Sequence, residues 1–149
     1  MRVLKILALF ALVSVGCVAA AAQVKPKPAP AANNTIKASA AYSEVLLRKA
    51  ELTAELEGLL VDYQDEYPPV RNLRTELGFL QKEIDRLLSV APADAGKLSS
   101  ALGKLMVRKA QALTDLAKLQ RDYTDDHPEV KSAKRKAEVF ETAIKEILG

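Results

Sequence analysis

The residues best equipped for chemistry stand together at Asp125-Asp126-His127, where two carboxylates precede the only histidine. An imidazole beside carboxylates is the material of a metal site or of acid–base catalysis. The chain supplies its own control, because Asp65-Glu66-Tyr67 occupies the same setting sixty residues upstream, with a phenol in place of the imidazole. A turn that accepts Tyr for His is kept for its shape. His127 is therefore expected to begin a helix and pack within a turn, not to hold a metal. One histidine cannot furnish a Ser/His/Asp relay with a marked nucleophile, and no Gly-rich loop is present to cradle phosphate. No cofactor is called for, and the reading is of a protein that is not an enzyme.

Helices must position these turns. From about Ser39 onward the strong helix formers Ala, Leu, Glu, Lys and Arg dominate, and prolines recur at 68, 69, 92 and 128. Proline is accepted in the first turn of a helix and damaging inside it. The spacing thus predicts four helices, over roughly 39–64, 68–89, 94–124 and 128–148. A shift of 60 residues lays Arg48-Lys49-Ala50 on Arg108-Lys109-Ala110, Leu56 and Leu59 on Leu116 and Leu119, and Asp62-Tyr63 on Asp122-Tyr123. It also lays Asp65, Pro68 and Val70 on Asp125, Pro128 and Val130, and Ile84 and Leu88 on Ile144 and Leu148, without a gap. Duplication of one helix-turn-helix unit is the natural reading. The fold is expected to be all-α, two antiparallel helical hairpins over 39–89 and 94–148 forming a coiled coil or a four-helix bundle.

The second helix of each unit carries apolar residues alternately three and four apart. They are Val70, Leu73, Leu77, Leu80, Ile84 and Leu87 in one, and Val130, Ala133, Ala137, Phe140, Ile144 and Ile147 in the other. Such spacing makes a single seam of the coiled-coil kind. The first helices continue it through Leu52, Leu56, Leu59 and Tyr63, and through Ala112, Leu116, Leu119 and Tyr123, but Lys49 and Lys109 interrupt it. Additional apolar residues such as Leu46, Leu47, Leu102 and Met106 widen their stripe, so the first helices are expected at the centre of a bundle or oligomer. Gly58 and Gly78 lie inside helices, where close approach of a neighbour and simple drift are both open.

The repeated turn reads Asp62-Tyr-Gln-Asp-Glu-Tyr-Pro-Pro-Val70 and Asp122-Tyr-Thr-Asp-Asp-His-Pro-Glu-Val130. A residue before proline is driven out of the α region, so the incoming helix should stop by Tyr67 or His127. Pro68 and Pro128 then serve as first helical residues. Tyr63 with Val70, and Tyr123 with Val130, are expected to close the apolar ends of the hairpins. Asp65, Glu66, Asp125 and Asp126 are placed to meet the free N–H groups and positive end of the new helix.

A Tyr-x-x-x-(His/Tyr)-Pro-x-Val turn between long helices resembles the periplasmic coiled coils of polysaccharide chain-length determinant and exopolysaccharide transport proteins. The resemblance is carried by Tyr63, Tyr67, Pro68 and Val70, and again by Tyr123, His127, Pro128 and Val130. It implies a helical hairpin of the cell envelope and, beyond that, a part in surface polysaccharide export, with polysaccharide among the ligands to consider.

The leader agrees with an envelope setting. Arg2 and Lys5 precede an apolar run from Ile6 to Val15 and small residues through Ala22, the pattern of a secretory signal peptide. Cleavage after Ala22 is expected, giving a periplasmic or secreted protein that starts at Gln23. Val15-Gly16-Cys17 keeps lipidation of Cys17 as the rival, and an uncleaved signal is a further route to the membrane. Residues 23–38, with prolines at 26, 28 and 30, read as a Pro/Ala-rich linker. Loss of Arg2 and Lys5 leaves 20 basic residues against 19 acidic. That near balance argues against nucleic acid as a partner. The small basic cluster Lys131, Lys134, Arg135 and Lys136 is read first as a solvated face. These features describe a non-catalytic structural or interaction protein whose partner is a protein, through self-association or another coiled coil. A periplasmic chaperone-like holdase is the alternative.

Overall fold

The computed structural model describes residues 30–149, with side chains from residue 33. The signal segment 1–22 with Cys17, the cleavage point after Ala22 and linker residues 23–29 lie outside the described residues. Helices and no strands make up the described chain: α1 (Pro30–Lys37), α2 (Ala40–Leu60), α3 (Pro68–Leu88), a 3-10 turn (Pro92–Lys97), α4 (Ser100–Asp122) and α5 (Pro128–Leu148). The all-α expectation holds. None of these helices is long and apolar enough to cross a membrane.

Each helix boundary has a local cause. Ser39 and Ser99 adopt extended backbone and their hydroxyls accept from the Tyr42 and Leu102 N–H groups at 3.3 Å. These N-caps stand 60 residues apart, so the internal register continues upstream of Arg48. Pro68 and Pro128 open α3 and α5, as expected from the residues before them. Three boundaries differ from the sequence reading, the first being that α2 ends at Leu60 rather than near residue 64. The linker does not extend to residue 38, because 30–37 is helical and Ile36 is buried against the core. The third helix starts at Ser100 rather than near 94, because Pro92–Lys97 forms the 3-10 turn and leaves Ser99 to cap.

The hairpins are antiparallel within and parallel between. Arg48 donates to Glu76 at 3.0 and 3.1 Å, and Lys49 to Gln81 at 2.7 Å, which runs α3 back along α2. Lys109 meets Glu141 at 2.7 Å, which does the same for α4 and α5. The first helices lie side by side, since the Ala41 N–H donates to the Leu98 carbonyl at 3.1 Å and Ser100 to Glu44 at 2.7 Å. The long helices stack rather than close into a ring. Helix α4 packs on α2, α3 and α5, whereas α5 packs chiefly on α4. A closed four-helix bundle would also set α5 against α2. This arrangement is the stacking of helix pairs seen in solenoids.

Stacking decides which seam residues are buried. In α3, flanked by α2 and α4, Val70, Leu73, Leu80, Ile84 and Leu87 are buried and Leu77 is half-buried. In α5, flanked by one long helix, only Val130, Ala137 and Ile144 are buried. Each fully buried Leu, Ile or Val contributes about 1.5–3 kcal/mol relative to exposure. Of the central helices only α4 has the neighbours its wide stripe asks for. Leu46 and Leu47 on α2 stay exposed. Glycine marks the tightest helix crossing, at a position other than the two considered from sequence. A Cβ on Gly103 would stand 2.7 Å from the Ala41 carbonyl oxygen and 2.8 Å from the Glu44 Cβ, whereas Gly58 and Gly78 face open space.

Candidate functional site

Because α2 and α4 run parallel, both hairpin turns emerge at one end of the molecule. Arg121, just before the second turn, donates to the Asn72 side chain just after the first and ties the two together. The turns share one backbone plan. The Tyr63 and Tyr123 N–H groups donate to the Leu59 and Leu119 carbonyls at 2.9 Å. Those of Tyr67 and His127 reach Gln64 and Thr124 at 3.1 and 3.0 Å. Tyr67 (φ −60, ψ 125) and His127 (φ −61, ψ 138) hold the extended backbone that the following proline demands.

The eight residues of the repeated motif separate into three roles. Val70 and Val130 are buried under the first turns of α3 and α5. Pro68 and Pro128 start those helices. Tyr63 stacks on Tyr67 with ring centroids 4.1 Å apart and planes 12° from parallel, and Tyr123 stacks on His127 at 4.1 Å and 23°. The tyrosines do not close the apolar ends of the hairpins as expected, because they remain 45% and 44% exposed. Once Tyr67 and His127 are extended, a ring four residues earlier lies over theirs on the outside of the turn, while Tyr67 is half-buried against the core and the valines are fully buried.

The carboxylates also have other partners than the helix start. Asp65 pairs with Arg74, Asp125 accepts from Gln120 at 2.9 Å, and Asp126 meets Lys131 at 3.1 Å. What caps α5 is His127 itself, whose Nδ1 accepts from the Glu129 N–H at 3.3 Å. Tyr67 has no ring acceptor and makes no side-chain cap. It needs none for the matching residue, since Pro69 stands where Glu129 stands and carries no N–H. Two exchanges at once, His for Tyr and Glu for Pro, leave the donor and acceptor count of the turn balanced in each repeat.

Between the turns lies an open groove of about 530 Å³ lined by Pro68, Arg71, Asn72, Lys118, Arg121 and Asp122. The tip therefore offers two exposed aromatic stacks beside a groove rich in guanidinium and ammonium groups. Tyrosine and arginine are the side chains that most often anchor protein contacts. Among the described residues no group of three His, Cys, Asp or Glu side chains comes within reach of one metal ion. The basic cluster on α5 is exposed at Lys131, Lys134, Arg135 and Lys136.

A second cluster gives a reason for the lysines that interrupt the seam. Lys109 bridges Glu83 of α3 at 2.6 Å and Glu141 of α5 at 2.7 Å, and Arg86 meets Glu141 at 3.0 Å. Glu83 is only 4% exposed. Burial alone would lower the Lys109 pKa, but hydrogen bonds to Glu141 and Glu83 outweigh it and raise the ammonium above its ordinary range. Burial would likewise raise Glu141, and the bonds from Lys109 and Arg86 outweigh it and hold that carboxyl below its ordinary range. Lys49, the counterpart in α2, reaches Gln81, the counterpart of Glu141. The signal for this network was present in sequence as a lysine at the same seam position twice. Its partner Glu83 lies on a different repeat and was not legible there. No protein-family profile, curated protein or solved structure matches the chain.

Proposed function

We propose that this chain is a non-catalytic interaction protein of the cell envelope, a rigid stack of helical hairpins that presents its double turn to a protein partner. The observation that carries the reading is the tip. The two motif turns that resemble those of polysaccharide export proteins stand side by side, each with an exposed aromatic stack. A buried turn motif would serve folding alone. One that leaves two tyrosines nearly half exposed beside Arg71 and Arg121 suits recognition as well. Surface polysaccharide export is the process this reading connects it with, through the turn resemblance.

A photo-crosslinking side chain at Tyr63 or Tyr123, in the protein expressed in its own cells, should capture one envelope protein reproducibly. The same group at Ser89, at the opposite end of α3, should not. Equal capture at both ends, or none at the tip, would refute the tip as the contact surface. Mass spectrometry of the same material tests the envelope assignment, with a first residue at Gln23 expected and acylated Cys17 as the competing result. The holdase reading draws on the exposed side chains Leu46, Leu47 and Val139. It predicts that the purified chain binds hydrophobic dyes and suppresses aggregation of an unfolded client.

A further inference from the structure

Among the described residues, the positions that make the stacking interface inside the molecule recur on both of its outer sides, where they are exposed or half-buried. Helix α4 turns a stripe of four buried residues, Gly103, Met106, Ala110 and Thr114, at three- and four-residue spacing. The stripe faces the first hairpin. Gly103 lies against Ala41, Thr114 shares a groove with Leu52 and Leu73, and Arg121 below them bonds Asn72. Moved 60 residues back, those positions become Ser43, Leu46, Ala50 and Ala54 of α2, all exposed, with Val61 (81% exposed) in place of Arg121. Among the described residues, α2 thus shows solvent the positions that its twin α4 buries. A terminal repeat that closes a stack carries a polar outer face. This one carries Leu46, two alanines and Val61, and α1 leaves them uncovered.

The opposite side matches. The surface on which α4 sits is made by Ala41, Glu44 and Glu83, among others. The corresponding residues of the second hairpin are Ala101 and Lys104, both exposed, and Ala143, half-buried. Beside Ala143, Val139 is 65% exposed. We infer that a second copy of this chain docks the outer stripe of its α2 on the α4/α5 face of the first, continuing the stack head to tail. The occupant is a second copy because each free face is the repeat-related equivalent of one half of the contact already made within the chain.

The contact between copies differs from the internal one in a definable way. Where Lys109 meets Glu83 internally, Lys49 would meet Ala143, and where Arg121 meets Asn72, Val61 would meet Ser132. Polar partners are replaced by apolar or small ones. Ser43 in place of Gly103 also holds the helices slightly further apart, since a Cβ there has no room in the internal geometry. The joint between copies is therefore a looser version of the internal one and responds to concentration. Being heterologous, it builds filaments, or rings where the rotation closes. It rests on the reading of the chain as an interaction protein but uses the sides of the stack, not the tip. Capture at Tyr63 without self-association would sink this inference alone.

Sedimentation velocity on the purified chain tests it. The wild type should form species larger than a dimer as concentration rises. Leu46→Glu and Ala101→Glu each spoil one face at an exposed position and should each be monomeric, with unchanged circular dichroism. Mixed one to one, they should recover a dimer and nothing larger, because each retains the face the other has lost. Ala143→Glu should tighten association by about tenfold by giving Lys49 the carboxylate that Glu83 gives Lys109, about the worth of one charge-assisted hydrogen bond. A wild type monomeric at every concentration, association that survives both single variants, or a mixture that stays monomeric would overturn the proposal.

Discussion

The cap on α5 can be tested without disturbing the core. His127→Tyr copies the first repeat into the second, keeps a ring to stack on Tyr123, and removes only the acceptor that His127 Nδ1 offers to the Glu129 N–H. Losing a side-chain N-cap costs about 0.5–2 kcal/mol. This bond is long, at 3.3 Å, and water reaches the freed N–H, so the lower part of that range applies, about 0.5–1 kcal/mol. At this chain length that is a fall in Tm of about 1–4 °C. The decisive comparison repeats the substitution in a Glu129→Pro background, where no N–H remains to be capped, as at Pro69. There the cost of His127→Tyr should vanish. The double-mutant cycle cancels whatever Glu129→Pro does by itself, including loss of an acidic side chain at the helix start. Urea unfolding followed by circular dichroism at 222 nm gives all four free energies. An equal cost in both backgrounds would show that His127 acts through something other than the Glu129 N–H, and a chelator effect on the wild type would reopen metal binding.

Three other substitution sets have outcomes set by the geometry. Tyr63→Ala and Tyr123→Ala should each cost about 1 kcal/mol, the worth of an aromatic pair whose outer ring is half wet, and not the 2–4 kcal/mol that a buried ring would lose. Gly58→Ala and Gly78→Ala should stabilise by about 0.5–1 kcal/mol, while Gly103→Ala should destabilise by about 1–3 kcal/mol because its Cβ meets backbone of α2. Lys109→Met should cost about 3 kcal/mol by leaving Glu83 buried without its cation. Stability should also depend on pH at both extremes. Glu141 is held low, so its contribution is full above about pH 4.3 and is lost as pH falls through its folded pKa. Lys109 is held high, so its contribution is full below about pH 10.4 and is lost as pH rises through its folded pKa. A Lys109→Met variant whose acid and alkaline limbs match the wild type would refute that assignment.

Local rules carried most of the fold in the sequence. The prolines at 68 and 128, the period of the α3 and α5 seams and the register between repeats foretold four of the helices to within a few residues at most boundaries. Residues 30–37 escaped because Asn33, Asn34 and Thr35 are poor helix formers. Their helix depends on Ile36 reaching a core built by residues far along the chain. The turn motif was legible as a turn but not as a surface. Periodicity assigned Tyr63 to the seam, whereas the extended residue before proline leaves the Tyr63 ring half exposed over Tyr67. Stack rather than bundle was likewise invisible, because both draw on the same periodic positions, and how deeply each is buried depends on which hairpin covers which.

That choice between stack and bundle is settled by the residues that spoil the seam. An all-apolar seam would let the second hairpin slide along the first or rotate about it at little cost, since apolar contact is nearly indifferent to register. Gly103 against Ala41 permits close approach at one level only. Lys109 must reach Glu83 on one neighbour and Glu141 on the other at the same time. A slip of one helical turn, about 5.4 Å, would strand Glu83 in the core without its cation, at a cost of about 3–5 kcal/mol. The lysine that looks like a flaw in one hairpin thus fixes the position of two. In α2 the same lysine meets Gln81, the residue that matches Glu141.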